Sequence, residues 1–227
     1  MIPNRRLILP YAAPYFAYVF IASAFEHQPV ESNYLIRLIV VSLLIAWAWK
    51  WYFPVTGPKS ALGSVAMGMM TGFAGFLLWI LLLVPFVSTG DSLPWSDHAF
   101  YLRLLSAGCL VPVFEEFFIR GFVLRFALQW DLERKNVQEY PLRNALDEKS
   151  VNDVEPGSWS WTALAVSTAV FTFGHHSQEW VAAVAFSLLM AGLWIMRRDL
   201  LSCIVAHSVT NVSLAFYVFT TGKWNFW

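Results

Sequence analysis

The chain has 227 residues, of which 58% are hydrophobic and 13% charged, with a formal net charge of zero. Together with a mean hydropathy of +0.54, this composition excludes an ordinary soluble domain, and the absence of basic and aromatic interleaving makes nucleic acid an unexpected partner. The expected fold class is all-α, a polytopic integral membrane helical bundle of about seven transmembrane helices forming a single domain over 1–227.

The first apolar run, from Leu7 to Phe25, follows Arg5 and Arg6 and ends near Ala22-Ser23-Ala24, in imitation of a secretory signal. It is long enough to cross the bilayer, it contains Pro10 and Pro14, and further spans follow, so it is expected to be a retained transmembrane helix. The next runs are Tyr34 to Phe53 and Ala61 to Val87. The third contains Gly63, Gly68, Gly72 and Gly75, whose small-xxx-small spacing lets helix backbones approach closely or leaves a groove for an extended substrate. A fourth run covers Phe100 to Leu128, and the hydrophilic stretch from Asp131 to Ser158 reads as a loop with some helical character. Three runs complete the chain: Trp159 to Gly174, Trp180 to Met196, and Leu200 to Phe219. With a cytoplasmic amino terminus, Lys and Arg concentrate on the inner side, and only Arg37, Arg103 and Lys223 fall outside. Tryptophans near the span ends, such as Trp47, Trp159 and Trp180, suit interfacial anchoring. Cys109 and Cys203 have no zinc or disulfide spacing and are expected to be small core hydrophobes.

The fourth run breaks its apolar pattern with Glu115, Glu116 and Arg120 in VPVFEEFFIRGFVLR. An ionisable residue at the centre of a span costs roughly 2.5 to 3.5 kcal/mol on insertion scales, so such residues face the bundle interior and are functional candidates. Glu116 and Arg120 are spaced for an ion pair on one helix face, whereas Glu115 projects about 100° away and is left free. His175 and His176 follow the fifth run in FTFGHHSQEW. His207 and Asn211, on one face of the last helix, could both donate to one oxygen, as an oxyanion hole requires. A free carboxylate, a histidine and a His/Asn donor pair on three spans are the groups that water-mediated amide hydrolysis needs.

The strings E-E-x-x-x-R, F-x-x-x-H and H-x-x-x-N, in that order, resemble the CAAX protease and bacteriocin-processing family of abortive-infection type, which includes the type II CAAX prenyl endopeptidases. The resemblance covers roughly Leu105 to Phe216 and rests on Glu115, Glu116 and Arg120, then Phe171 and His175, then His207 and Asn211. It implies an intramembrane glutamate peptidase acting on a membrane-associated or lipidated peptide or protein. In that mechanism Glu115 with His175 activates water, His207 and Asn211 stabilise the oxyanion, and Glu116 and Arg120 support the first motif. No cofactor is implied. His176 is the alternate second-motif position, although Phe171 gives the four-residue spacing to His175. The polar loop after the first motif is reminiscent of a bacterial subgroup found beside exosortase protein-sorting systems, which implies a bacterial inner membrane.

Two physical expectations accompany this reading. Phe117, Phe118 and Phe122 are expected to keep the carboxylates' surroundings apolar. His175, at the outer end of its span, is expected to lie about 10 Å above the level of Glu115 and His207. Competing readings are a zinc metallopeptidase built on Glu115, His175 and His207, and a non-catalytic transporter or scaffold whose buried charges hold an ion or glue helices together.

Overall fold

The computed structural model describes residues 1–87, 94–136 and 139–226. Its long helices are α1 (Asn4–Ala24), α2 (Val30–Ala48, prolonged by a 3-10 turn over Trp49–Trp51) and α3 (Ala61–Leu83). A helical run then extends without interruption from Asp97 to Lys135 as α4 (Asp97–Leu105), α5 (Val111–Glu116) and α6 (Leu124–Lys135), joined by π-helical segments at Ser106–Leu110 and Phe117–Val123. After α7 (Pro141–Asp147) and a 3-10 turn at Val151–Asp153 come α8 (Trp161–Phe173), α9 (Trp180–Arg197) and α10 (Leu200–Thr221). No strand occurs among the described residues. Five helical stretches are long and apolar enough to cross a membrane, and α8 is a shorter apolar helix. The chain is a polytopic helical membrane protein.

Small residues set the closest helix contact. A Cβ at Gly68 would stand 2.7 Å from the Ser202 carbonyl oxygen, one at Gly72 would stand 2.4 Å from that of Ala206, and one at Gly75 would meet Thr210 and Phe186. The matched numbers rise together, so α3 and α10 run parallel with their backbones in near contact. Thr210 Oγ1 donates to the Gly72 carbonyl at 2.7 Å across this seam. The glycine stripe is a packing surface rather than a groove.

The run from Asp97 to Lys135 lies antiparallel to both α1 and α10. On one side Tyr11 meets Phe117 and Phe122 while Tyr15 stacks on Phe118. On the other, Phe219 stacks on Phe100 while Asn211 reaches Ala107. Phe117, Phe118 and Phe122 therefore pack toward α1 and the Trp49–Phe53 turn rather than around the carboxylates. Cys203 is buried as expected, but Cys109 is exposed on the surface.

The hydrophilic stretch is more ordered than a loop. Helix α6 carries on through Asp131 to Lys135, and the segment after it docks on the amino end of α1. Asn4 Nδ2 donates to the Ala145 carbonyl at 2.7 Å, its Oδ1 accepts from the Val151 amide at 2.6 Å, and the Tyr11 hydroxyl donates to Asn152 Oδ1 at 2.7 Å. The polar residues that make this segment hydrophilic are the ones that pin it. The tip of the stretch, 137–138, lies outside the described residues.

Candidate active site

Helix geometry places Glu116 against Arg120 and His207. Its Oε1 lies 3.3 Å from Arg120 Nη1, one turn further along, and 3.0 Å from His207 Nδ1 on α10. Arg120 also donates to the Ser187 carbonyl and hydroxyl on α9, both at 3.2 Å, and the Ser187 hydroxyl contacts that of Thr168 on α8. All of these groups are buried. The pair expected from its i, i+4 spacing thus ties the motif helix to α8, α9 and α10. Its insertion cost is offset by the ion pair and the hydrogen bonds of the guanidinium to Ser187.

Glu115 points elsewhere. Its side chain keeps 13% exposure, and His207 Nε2 lies 3.7 Å from its Oε2. One imidazole therefore spans both carboxylates. Because a carboxylate beside Nδ1 can only accept, that nitrogen carries a proton, and Nε2 is left facing Glu115. Phe171 and Phe186 flank the ring, with centroids 6.3 and 5.4 Å away. These two rings, rather than the phenylalanines beside the glutamates, supply the apolar walls.

His175 comes just after the end of α8. Helix α8 has only 13 residues, about 20 Å at 1.5 Å per residue, so it stops short of a full crossing. It ends at Gly174, where a Cβ would come within 2.1 Å of the Tyr15 hydroxyl. The chain then turns with Gly174 and His176 exposed, and the His175 ring packs 5.5 Å from Trp79 on α3 and 4.5 Å from Phe171. His175 Nδ1 lies 2.8 Å from the Phe171 carbonyl, which only accepts, so Nδ1 carries a proton and Nε2 is left for another partner. His176 differs: it is exposed and caps the turn at Ser177–Glu179 in a reciprocal box with Glu179.

Asn211 is held by a backbone irregularity. In the π segment the Val111 amide bonds to the Ser106 carbonyl, five residues back. The same register would pair Ala107 with Pro112, which has no N–H. Asn211 Nδ2 fills that vacancy, donating to the Ala107 carbonyl at 2.8 Å, and the Ser208 hydroxyl donates to the next carbonyl, Gly108. One amide hydrogen of Asn211 is therefore committed to the helix, which leaves the other for a ligand.

Glu115, His175, His207 and Asn211 line a single cavity of about 350 Å³, with His176 also on its wall. No hydrogen bond joins Glu115 to His175. Among the described residues no group of three His, Cys, Asp or Glu side chains is gathered as a metal site would need, so the zinc arrangement on Glu115, His175 and His207 is not formed. Sequence reasoning missed part of the lining: Tyr18, Tyr34 and Arg37 from α1 and α2, Trp79 from α3, Arg103 from α4, and Phe186 from α9. Trp79 Nε1 and Arg37 Nε are buried without a hydrogen-bond partner. The available signal was Arg37 and Arg103 themselves, cations on the side where the charge bias left few.

Residues 97–213 match the family model described as type II CAAX prenyl endopeptidase Rce1-like, slightly more than half of the chain. Neither a curated protein nor a solved structure matches the chain.

Proposed function

We propose, from the premise that this chain belongs to the Rce1-like family of type II CAAX prenyl endopeptidases, that it hydrolyses a peptide bond of a membrane-associated substrate by a glutamate-type mechanism. The observation that carries this reading is Glu115, a carboxylate without a hydrogen bond among the described residues, in a cavity it shares with His175, His207 and Asn211. A water bound between Glu115 and His175 Nε2 would lose its proton to the carboxylate as it attacks the scissile carbonyl. The oxygen of the tetrahedral intermediate would then accept from the remaining Asn211 amide hydrogen and from His207 Nε2. For His207 to donate there while its Nδ1–H stays on Glu116, the ring must carry both protons. Glu115, Glu116, Arg120 and His207 then sum to zero charge, a balanced cluster for a site at bilayer depth. Glu116 and Arg120 act as positioning residues, holding His207 from below and binding the motif helix to α8 and α9.

The Glu115 proton would pass to the departing amine, which closes the cycle without a cofactor. A membrane lipid environment and a peptide or protein partner are the setting this mechanism requires. The test is cleavage of a library of membrane-proximal peptides by the purified, reconstituted protein, comparing wild type with Glu115→Gln and His207→Ala. Loss of cleavage by about 10²- to 10⁴-fold in Glu115→Gln is expected for removal of a general base. Equal cleavage by all three proteins would overturn the mechanism.

A further inference from the structure

Arg37 lies on α2, is 8% exposed, and lines the catalytic cavity. Its guanidinium carbon stands 3.8 Å from the Tyr34 ring centroid and 4.8 Å from that of Tyr18. These ring contacts hold the guanidinium in place but use none of its donors, which lie in its own plane. Among the described residues no hydrogen bond or ion pair reaches Arg37, and its Nε is buried unpartnered. The contrast with Arg120 is direct, since that buried guanidinium has Glu116 and Ser187. A buried cation without an anion is costly unless an anion arrives. A planar fork held between two aromatic faces is preorganised for the two oxygens of a carboxylate.

We infer that Arg37 binds a carboxylate of the peptide substrate, placing the scissile bond close to that anchored group. The inference rests on the peptidase reading and adds to it a specificity determinant outside the three motifs. A peptide offers this chemistry from two sources, its free C terminus and its Asp or Glu side chains, and the experiment separates them.

Acylated fluorogenic peptides from the library are prepared as C-terminal acids, as C-terminal amides, and with acidic side chains replaced by Asn or Gln. The full chain in lipid nanodiscs is assayed as wild type, Arg37→Met and Arg37→Lys. Wild type should favour one carboxylate-bearing form over its neutral partner by about tenfold to a hundredfold in kcat/KM, mostly through KM. Whichever form is favoured identifies the source. Arg37→Met should collapse that ratio toward one, and Arg37→Lys, which keeps the charge but not the fork, should retain part of it. An unchanged ratio in Arg37→Met, or an equal fall for both forms as a merely structural residue would give, overturns the assignment. Direct binding of the acid and amide peptides to Glu115→Gln protein supplies a readout independent of turnover, and Arg37→Lys in that background covers failure of Arg37→Met to fold. If wild type cleaves nothing while the Glu115→Gln protein still binds the acid more tightly through Arg37, the peptidase reading fails and the carboxylate site stands. Equal binding of the C-terminal acid and its amide, together with equal binding of the acidic-side-chain peptide and its Asn or Gln counterpart, sinks the carboxylate site, whatever is cleaved.

Discussion

Asp131 and Glu115 stand on the same continuous helical run from Asp97 to Lys135, and both are carboxylates drawn largely out of solvent. Asp131 lies beyond the apolar span and is saturated: Lys135 Nζ at 2.7 Å, Arg134 Nη2 at 2.8 Å and the Thr162 hydroxyl at 2.9 Å all donate to it. Glu115 lies inside the bundle, where donors are scarcer, and among the described residues it accepts no hydrogen bond. Full satisfaction marks a group that fastens helices. A carboxylate kept under-used in a cavity, beside a Glu116 whose Oε1 is already engaged by Arg120 and His207, marks one held ready for a ligand.

The sharpest way to break the comparison is to exchange the outcomes. Glu115→Gln should abolish cleavage with little change in stability, since almost nothing in the fold depends on that carboxylate. Arg120→Ala should do the reverse in kind, destabilising the protein by about 3–5 kcal/mol because Glu116 is left buried beside only His207. A lowered unfolding midpoint in detergent checks it. A smaller effect should come from Gly72→Ala, whose new Cβ meets the Ala206 backbone oxygen at 2.4 Å and should cost about 1–3 kcal/mol. Gly192→Ala, with nothing within 4 Å, is the control and should be neutral or stabilising by about 0.5–1 kcal/mol.

The smallest expected effect at neutral pH belongs to Asp131. Its carboxyl is held well below the usual range, chiefly by the Lys135 hydrogen bond, with Ser160, Thr162 and Arg134 adding to it. A lowered folded value means the stabilisation is fully present above the unfolded carboxylate pKa of about 3.9 and is lost as pH falls through the folded one. The gap in unfolding midpoint between wild type and Asp131→Asn should therefore hold constant from pH 7 down to about 4 and shrink only below that. A gap that closes between pH 7 and 5 would show that Asp131 is not held in this way.

Much of this arrangement was legible in the sequence because charge in an apolar span is conspicuous. The Glu116–Arg120 pairing, the different direction of Glu115 and the shared face of His207 and Asn211 all follow from helical spacing alone. That His175 shares a cavity with these groups did not, since it follows from packing after the 13-residue α8 ends, where Gly174 leaves room for the Tyr15 hydroxyl. Nor could spacing reveal that Pro112 strips a carbonyl of its partner in a π register and so recruits Asn211. Arg37 and Tyr18 reach the cavity through packing of α1 and α2, a long-range fact that no local pattern encodes.

The most direct test of the central claim is the cleavage rate of a membrane-proximal peptide by reconstituted wild type, Glu115→Gln and Asp131→Asn at neutral pH. A fall of at least about a hundredfold in Glu115→Gln, with Asp131→Asn cleaving at the wild-type rate, is the predicted result. Folded Glu115→Gln that cleaves as fast as wild type would contradict it.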